Sequence, residues 1–182
     1  MGDTRRSGED EFRAFVVARQ PALLRAAYLL TGDRYAAEDL VQTALAEAAY
    51  RWPKLSTGQP EAYVRRVIYT RFCSGLRRRK VLVEASVADT PDRPSPDLTE
   101  SVDQRVGLER ALASLAPRQR ACVVLRFYED RSAAETAAVL GCSVGAVKSQ
   151  THDALNRLRA IAPELSGLLP EVADHDVTEV AR

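Results

Sequence analysis

Six consecutive polar side chains late in the sequence have the types that can recognise DNA bases. Gln can pair with adenine, Lys with guanine, and Ser or Thr with either, through hydrogen bonds to base edges in the major groove. A solvent-facing helix would carry a similar run, so these residue types alone leave both interpretations open. The run consists of Lys148, Ser149, Gln150, Thr151, His152 and Asp153.

The residues in front of this run have the pattern of a helix-turn-helix. Ser132 and Glu135 are spaced as a capping box at the start of a first helix. Gly141 permits a tight turn, and Ser143 can cap a second helix. In this motif the N-terminal part of the second helix enters the major groove, so the pattern favours DNA reading by the polar run. Small residues that let the two helices cross closely are Ala133, Ala134, Ala137 and Ala138.

A basic and aromatic segment lies earlier in the chain, between Tyr63 and Lys80. It carries many arginines without an acidic residue between them, interleaved with aromatic side chains. Cations neutralise phosphates, and aromatic rings stack on unpaired bases, so the segment favours single-stranded or melting DNA. A helix with aromatic residues in its core and arginines in solvent would look the same, and both interpretations remain open. The basic and aromatic residues concerned are Tyr63, Arg65, Arg66, Tyr69, Arg71, Arg77, Arg78 and Arg79.

The stretch that precedes this segment predicts a helix with an acidic face. Its polar residues include Glu38, Asp39, Gln42 and Glu47. Such a face repels DNA and suits a basic protein partner, although it also suits plain solvent.

The chain divides into two helical blocks. Apolar residues recur at spacings of three and four in both blocks, and no alternating strand pattern of convincing length occurs. Between them, 84–103 is rich in proline and acidic residues, which predicts a flexible linker. We therefore expect an all-α protein with two small helical domains. The expected segments are a tail at 1–9, domains at 10–80 and 104–165, a linker at 81–103 and a tail at 166–182.

Composition excludes several classes of function. The formal net charge is only +1, so DNA binding must rest on local charge. No apolar run has membrane-spanning length and no signal peptide is evident, so we expect a cytoplasmic protein without membrane insertion. Cys73, Cys122 and Cys142 are widely spaced, which predicts reduced thiols buried as small apolar residues. No catalytic set or metal-ligand cluster is present, so we expect neither an enzyme nor a cofactor or metal.

Three stretches together resemble bacterial extracytoplasmic-function sigma factors, most of all a short SigE-like subset. The helix of conserved region 2 resembles "DRYAAEDLVQTALAEAAYRWPKL", and the helix that follows it resembles "PEAYVRRVIYTRFCSGLRRRK". Region 4 resembles "LERALASLAPRQRACVVLRFYEDRSAAETAAVLGCSVGAVKSQTHDALNRLR". The resemblance implies a subunit that directs core RNA polymerase to promoters.

The resemblance also implies a role for each surface. Glu38, Asp39 and Gln42 would dock on the clamp helices of the largest polymerase subunit. The basic and aromatic segment, with Thr70, would read and open the −10 element, and 148–153 would read the −35 element. Region 4 would contact the flap of the second-largest subunit. An anti-sigma protein is a further candidate partner.

The sequence departs from the family pattern at three positions. Thr70 stands where members often carry Asn, Ser74 where they often carry Asp, and Asp153 where a basic residue is common. These differences affect which promoter sequence the protein would recognise, not the class of protein that it resembles. The alternative class is an ordinary helix-turn-helix regulator that binds DNA alone. Such a regulator would need neither the acidic helix nor the basic and aromatic segment.

Overall fold

A computed structural model describes the backbone of residues 2–84 and 100–163 and the side chains of 8–75 and 107–163. Every regular element in these residues is helical, which confirms the all-α fold class. The helices of the first domain are α1 (Gly2–Thr31), α2 (Arg34–Leu55) and α3 (Pro60–Glu84). The second domain contains α4 (Glu100–Ser114), α5 (Pro117–Val123), a π-helical turn (Val124–Tyr128), α6 (Ala133–Leu140) and α7 (Val144–Ile161).

The helices extend beyond the domain boundaries expected from the sequence, into the expected N-terminal tail and linker. Helix α1 already begins at Gly2, α3 continues to Glu84, and α4 begins at Glu100. Residues 85–99 and 164–182, which hold most of the expected linker and C-terminal tail, lie outside the described residues. The domain boundaries therefore stay predictions.

The corner between α1 and α2 follows from local chemistry. Gly32 takes a positive φ of 66°, which a residue without Cβ adopts at little cost. The Asp33 carboxylate then accepts a hydrogen bond at 2.8 Å from the backbone N–H of Ala36. This bond satisfies one of the free N–H groups at the start of α2, so the helix begins at a defined residue.

The core of the first domain extends into the second domain. Leu30, Val41 and Ile68 are buried between α1, α2 and α3. Val124 and Leu125 of the π-helical turn belong to the same cluster of buried residues. The two domains consequently share apolar surface, and burying that surface favours their association.

The π-helical turn sets the direction of the residues that follow it. The Glu129 N–H donates to the carbonyl of Val124 at 3.0 Å, five residues back, and Asp130 takes a positive φ of 51°. Single π-helical turns occur often beside functional sites, where they redirect side chains. Here the turn aims Glu129 toward the first domain.

Candidate nucleic-acid and polymerase interfaces

Helix α6 begins at the capping box that the sequence predicts. The Ser132 hydroxyl accepts a hydrogen bond from the Glu135 N–H at 3.1 Å, and Glu135 accepts one from the Ser132 N–H at 2.9 Å. The hydrogen bond from the Ser132 N–H lowers the pKa of Glu135, with further lowering by the Ser132 hydroxyl and Arg131. These bonds satisfy two backbone groups that the first turn would otherwise leave open.

The turn of the helix-turn-helix is equally well defined. Gly141 ends α6 in the left-handed conformation, with φ of 62°. The Ser143 hydroxyl accepts from the Ala146 N–H at 3.1 Å and caps α7. Val147 is completely buried behind the turn, which fixes the rotation of α7 about its axis.

The rotation of α7 divides the six predicted base-reading residues into two groups. Ser149 and Asp153 are exposed, and Lys148 and His152 are half-buried one turn apart on the same face. Gln150 instead lines a cavity where the two domains meet. Thr151 is half-buried, and its hydroxyl is enclosed without a hydrogen-bond partner within the described residues.

Sequence reasoning missed one polar residue on the outer face of α7. The side-chain nitrogen of Asn156 lies 2.9 Å from Nε2 of His152, one helical turn away. Arg159 in turn donates to the side-chain oxygen Oδ1 of Asn156 at 3.4 Å. The spacing of four from His152 was the available signal, because side chains four residues apart share a helix face.

The predicted −10 residues on α3 are partly accessible. Arg66 and Arg71 are exposed, and Nε of Arg71 donates to Glu47 at 2.7 Å. Tyr63 is half-buried, with the Arg51 guanidinium 5.7 Å from its ring centre.

Of four further predicted −10 residues, one is bonded to its own helix and three have side chains that the structure does not describe. The Thr70 hydroxyl is turned back onto its own helix, where it donates to the Arg66 carbonyl at 2.6 Å. Arg77, Arg78 and Arg79 lie on α3, but their side chains are outside the described residues.

Two of the predicted −10 residues are covered by the second domain. Arg65 is 12% exposed and forms ion pairs with Glu61 at 2.7 Å and with Glu129, whose side chain is 5% exposed. Tyr69 is 1% exposed, and its hydroxyl donates to Glu129 at 3.1 Å. Glu129 therefore seals both side chains, and either could reach DNA only after the domains part.

The protonation states in this cluster follow from its burial. Burial opposes the charge of Arg65, but the hydrogen bond to Glu61 and the charge of Glu129 together raise the pKa of Arg65. Burial raises the pKa of Tyr69 well above its ordinary value, and the Glu129 charge adds to that rise. The cluster accordingly holds a charged arginine and a neutral tyrosine at neutral pH.

A second contact between the domains involves a buried arginine that the sequence did not single out. Arg120 donates to the Leu30 carbonyl of α1 at 2.6 Å and to the Ala113 carbonyl at 2.6 Å. Its guanidinium also lies 5.8 Å from the ring centre of Phe72 on α3. The signal was a lone arginine at the edge of the apolar run "ACVVL", where a charge requires partners.

The predicted docking face of α2 presents a continuous exposed stripe. Asp39 and Gln42 are exposed, while Glu38 is half-buried and paired with Arg34 at 2.9 Å. Tyr35 and Tyr50 are exposed near the two ends of α2, at helical spacing from Asp39 and Gln42. Sequence analysis did not name these tyrosines, although exposed aromatic residues are typical of protein interfaces.

Two further observations concern the described part of the chain. Within residues 2–84 and 100–163, no helix combines the length and the apolar character that a membrane span needs. The same residues contain no group of three His, Cys, Asp or Glu side chains placed to hold a metal ion.

Comparison with known families places this architecture. Residues 15–81 match the family described as Sigma-70 region 2, and residues 111–160 match Sigma-70, region 4. These two regions in this order define an RNA polymerase sigma factor. The chain belongs to the sigma-70 family, in its extracytoplasmic-function group.

Individual relatives agree with this assignment. The "RNA polymerase sigma-E factor" of Streptomyces coelicolor is 45% identical over 150 residues, covering 82% of this chain and 84% of the relative. The "ECF RNA polymerase sigma factor SigL" of Mycobacterium tuberculosis is 32% identical over 160 residues, covering 84% and 89%. Among solved structures, the sigma factor RpoE from Bartonella quintana, in complex with the anti-sigma factor NepR, has a TM-score of 0.65 at 28% identity. The match covers 84% of this chain and 96% of that one.

Proposed function

We propose that this sigma factor holds a promoter at two places, through α7 at the −35 element and through α3 at the −10 element, while α2 docks on core RNA polymerase. The observation that carries the proposal is the capped helix-turn-helix. Its buried Val147 turns Lys148, Ser149 and Asp153 to the outer face of α7. A second helix with a polar outer face at its N-terminal end is the geometry that enters a major groove.

The outer face of α7 suits base reading at the −35 element. Lys148 is a donor for guanine, and Ser149 can donate or accept. Asp153 is an acceptor, which suits the amino group of cytosine where many family members carry a basic residue. His152 is held by Asn156 at 2.9 Å, and this reduces the freedom lost when the side chain meets DNA. Gln150 and Thr151 belong to the proposed set through their positions on α7. Gln150 lines the cavity between the domains, so the domains must part before it meets DNA.

The α3 surface suits the −10 element in two stages. Arg66 is exposed and can neutralise a phosphate in the described arrangement, whereas Arg71 is exposed but paired with Glu47, which a phosphate would have to replace. Arg65 and Tyr69 join them only after Glu129 withdraws. Strand opening costs a few kcal/mol per unstacked base, and these cations and aromatic residues would offset that cost.

The partners follow from the same surfaces. The stripe on α2 suits the clamp helices of the largest polymerase subunit, with Tyr35 and Tyr50 flanking Asp39 and Gln42. The second domain is proposed to meet the flap of the second-largest subunit. The protein would act in the cytoplasm, where transcription takes place, and without an active site of its own. The complex of RpoE with NepR makes an anti-sigma factor a further candidate partner.

In vitro transcription with purified core polymerase tests whether α7 contacts DNA and α2 contacts polymerase. Lys148→Ala should weaken transcripts that need the −35 element while polymerase binding is kept. Arg110→Ala is the matched control, because it removes one exposed positive charge from α4. Asp39→Ala with Gln42→Ala should weaken polymerase binding, whereas Asp10→Ala on α1 should not.

Two results would overturn the proposal. One is unchanged polymerase affinity in the Asp39 and Gln42 double variant, measured by pull-down. The other is loss of polymerase affinity in Lys148→Ala. Binding of the free chain to specific DNA without any affinity for polymerase would instead support an ordinary helix-turn-helix regulator.

A further inference from the structure

Three cysteines that are far apart in the sequence line one cavity where the two domains meet. Cys73 lies on α3, Cys122 on α5, and Cys142 in the turn before α7. The cavity measures about 150 Å³. The sequence predicts three buried thiols, but only Cys122 is buried, at 1% exposed, and Cys73 and Cys142 are half-buried. The cavity is also lined by Thr70, Ser74, Arg118, Leu140, Ala146 and Gln150.

The three thiols are close enough to influence one another. Burial raises the pKa of Cys73 to about 11; the Arg118 charge opposes the rise and the neighbouring Cys142 adds to it. Burial likewise raises the pKa of Cys122 to about 12, with further increases from Cys142 and Cys73. Cys142 therefore neighbours both other thiols. Burial keeps Cys73 and Cys122 protonated at neutral pH, and a thiol is a weaker nucleophile than a thiolate. Cys142 is half-buried in the turn before α7 and lines the cavity with both other thiols, so the proposal assigns the first reaction with the oxidant to Cys142.

We propose that this cavity is an oxidation site, at which hydrogen peroxide joins Cys73 and Cys142 in a disulfide that links the two domains. The Cys142 sulfur attacks one peroxide oxygen, the O–O bond breaks, and a sulfenic acid and one water form. The Cys73 sulfur then attacks the Cys142 sulfur, the S–O bond breaks, and a second water carries away the hydroxyl and the Cys73 proton. Two thiols lose two electrons in total, and the peroxide gains them.

Access favours this pair over the pair within the second domain. Cys73 and Cys142 both retain solvent exposure, so peroxide can enter and water can leave beside them. Cys122 lies behind them and is only 1% exposed. Cys122 is therefore the less accessible partner for an oxidised Cys142.

The link would hold α3 against the helix-turn-helix. Thr70 and Gln150, one from each proposed DNA surface, line the same cavity and would stay facing one another. This consequence rests on the proposed function, because that function needs the domains to part. The disulfide itself does not depend on that function.

Mass spectrometry of the intact chain tests the site. The reduced protein is treated with hydrogen peroxide, free thiols are blocked with N-ethylmaleimide, and the chain is digested without reductant. The expected product is one peptide pair that joins Cys73 to Cys142, with the loss of two hydrogens. Cys73→Ser and Cys142→Ser should each abolish it, and Cys122→Ala should retain it. Circular dichroism melting checks that each variant is folded.

Several outcomes would overturn the proposal. They are a link between Cys122 and Cys142, links only between different molecules, or no link in a folded protein. Transcription assays separate this failure from failure of the proposed function. If the reduced protein supports transcription but forms no Cys73–Cys142 link, the proposed oxidation site is refuted and the proposed function stands. A linked protein that loses transcription and regains it with dithiothreitol supports both.

Discussion

Glu129 is the residue whose removal most directly tests how the two domains are held together. Its side chain is 5% exposed, and its carboxylate contacts Arg65 and Tyr69 of the first domain. We expect Glu129→Ala to weaken the closed arrangement of the domains without unfolding either one, because most of the first buried cluster lies within α1–α3 and a second buried cluster joins α4, α5 and α7.

The free-energy cost of Glu129→Ala depends on which partners Arg65 keeps. Removing one member of a buried ion pair costs about 3–5 kcal/mol, chiefly because the other charge is left unpaired. Arg65 keeps its ion pair with Glu61 at 2.7 Å, so we place the cost at the lower end, about 3 kcal/mol. Each 1.36 kcal/mol is a factor of ten, so the ratio of open to closed molecules should rise by roughly two orders of magnitude.

The assay measures domain separation in the free protein. Small-angle X-ray scattering should show a larger radius of gyration for Glu129→Ala, and hydrogen exchange should quicken in α3 near Tyr69. Affinity for single-stranded −10 DNA should rise, since Arg65 is released. Glu129→Gln is the matched variant: it keeps an acceptor for Tyr69 and removes only the charge, so its effect should be smaller. A folded Glu129→Ala protein with unchanged scattering and exchange would refute this reasoning.

Three shorter predictions concern other parts of the second domain. Ser143→Ala should lower the free energy of unfolding by about 1 kcal/mol through loss of the α7 cap, as measured in urea, and Ser143→Asp should recover it. The pKa of Glu135 is lowered below 4.5, so the stability that its carboxylate contributes is complete above that value and is lost as pH falls through the lower pKa of the folded protein. NMR titration of the Glu135 carboxyl checks this. Ser132→Ala should move its pKa only part of the way back up, because the backbone N–H of residue 132, the largest cause of the shift, remains. Arg120→Ala should lower the thermal midpoint by more than Ser143→Ala does, because it leaves the Leu30 and Ala113 carbonyls without their donor, and an equal or smaller loss would contradict the role given to Arg120.

Local elements were predictable because their signals are local. Ser132 and Glu135 start α6, Gly141 ends it and Ser143 starts α7, and each acts on backbone groups within four residues. The polar outer face of α7 followed from the same periodicity. Sequence alone could therefore predict the helix-turn-helix and part of the outer face of α7, including Ser149 and Asp153, but it placed Gln150 and Thr151 there as well and missed Asn156.

Contacts between the domains were not predictable in the same way. Tyr69 and Glu129 are 60 residues apart, and Arg120 and Leu30 are 90 apart. No periodicity or capping rule relates such positions. The same limit applies to Cys73 and Cys142, which the sequence treats as unrelated thiols. For Tyr69, the aromatic and basic pattern left core packing and DNA stacking open, and only the tertiary structure shows that its ring is buried.

The π-helical turn over Val124–Tyr128 has a consequence for variation in chain length. Successive residues of an α-helix point about 100° apart, so a one-residue deletion within this turn would restore ordinary pitch and swing the carboxylate of Glu129 off the first domain. Insertions and deletions in loops usually have little effect on a fold. In this turn, however, one residue more or fewer would change how strongly the two domains are held together. Homologues with one residue more or fewer in this turn should therefore differ in the stability of the closed arrangement of their two domains before they bind core polymerase.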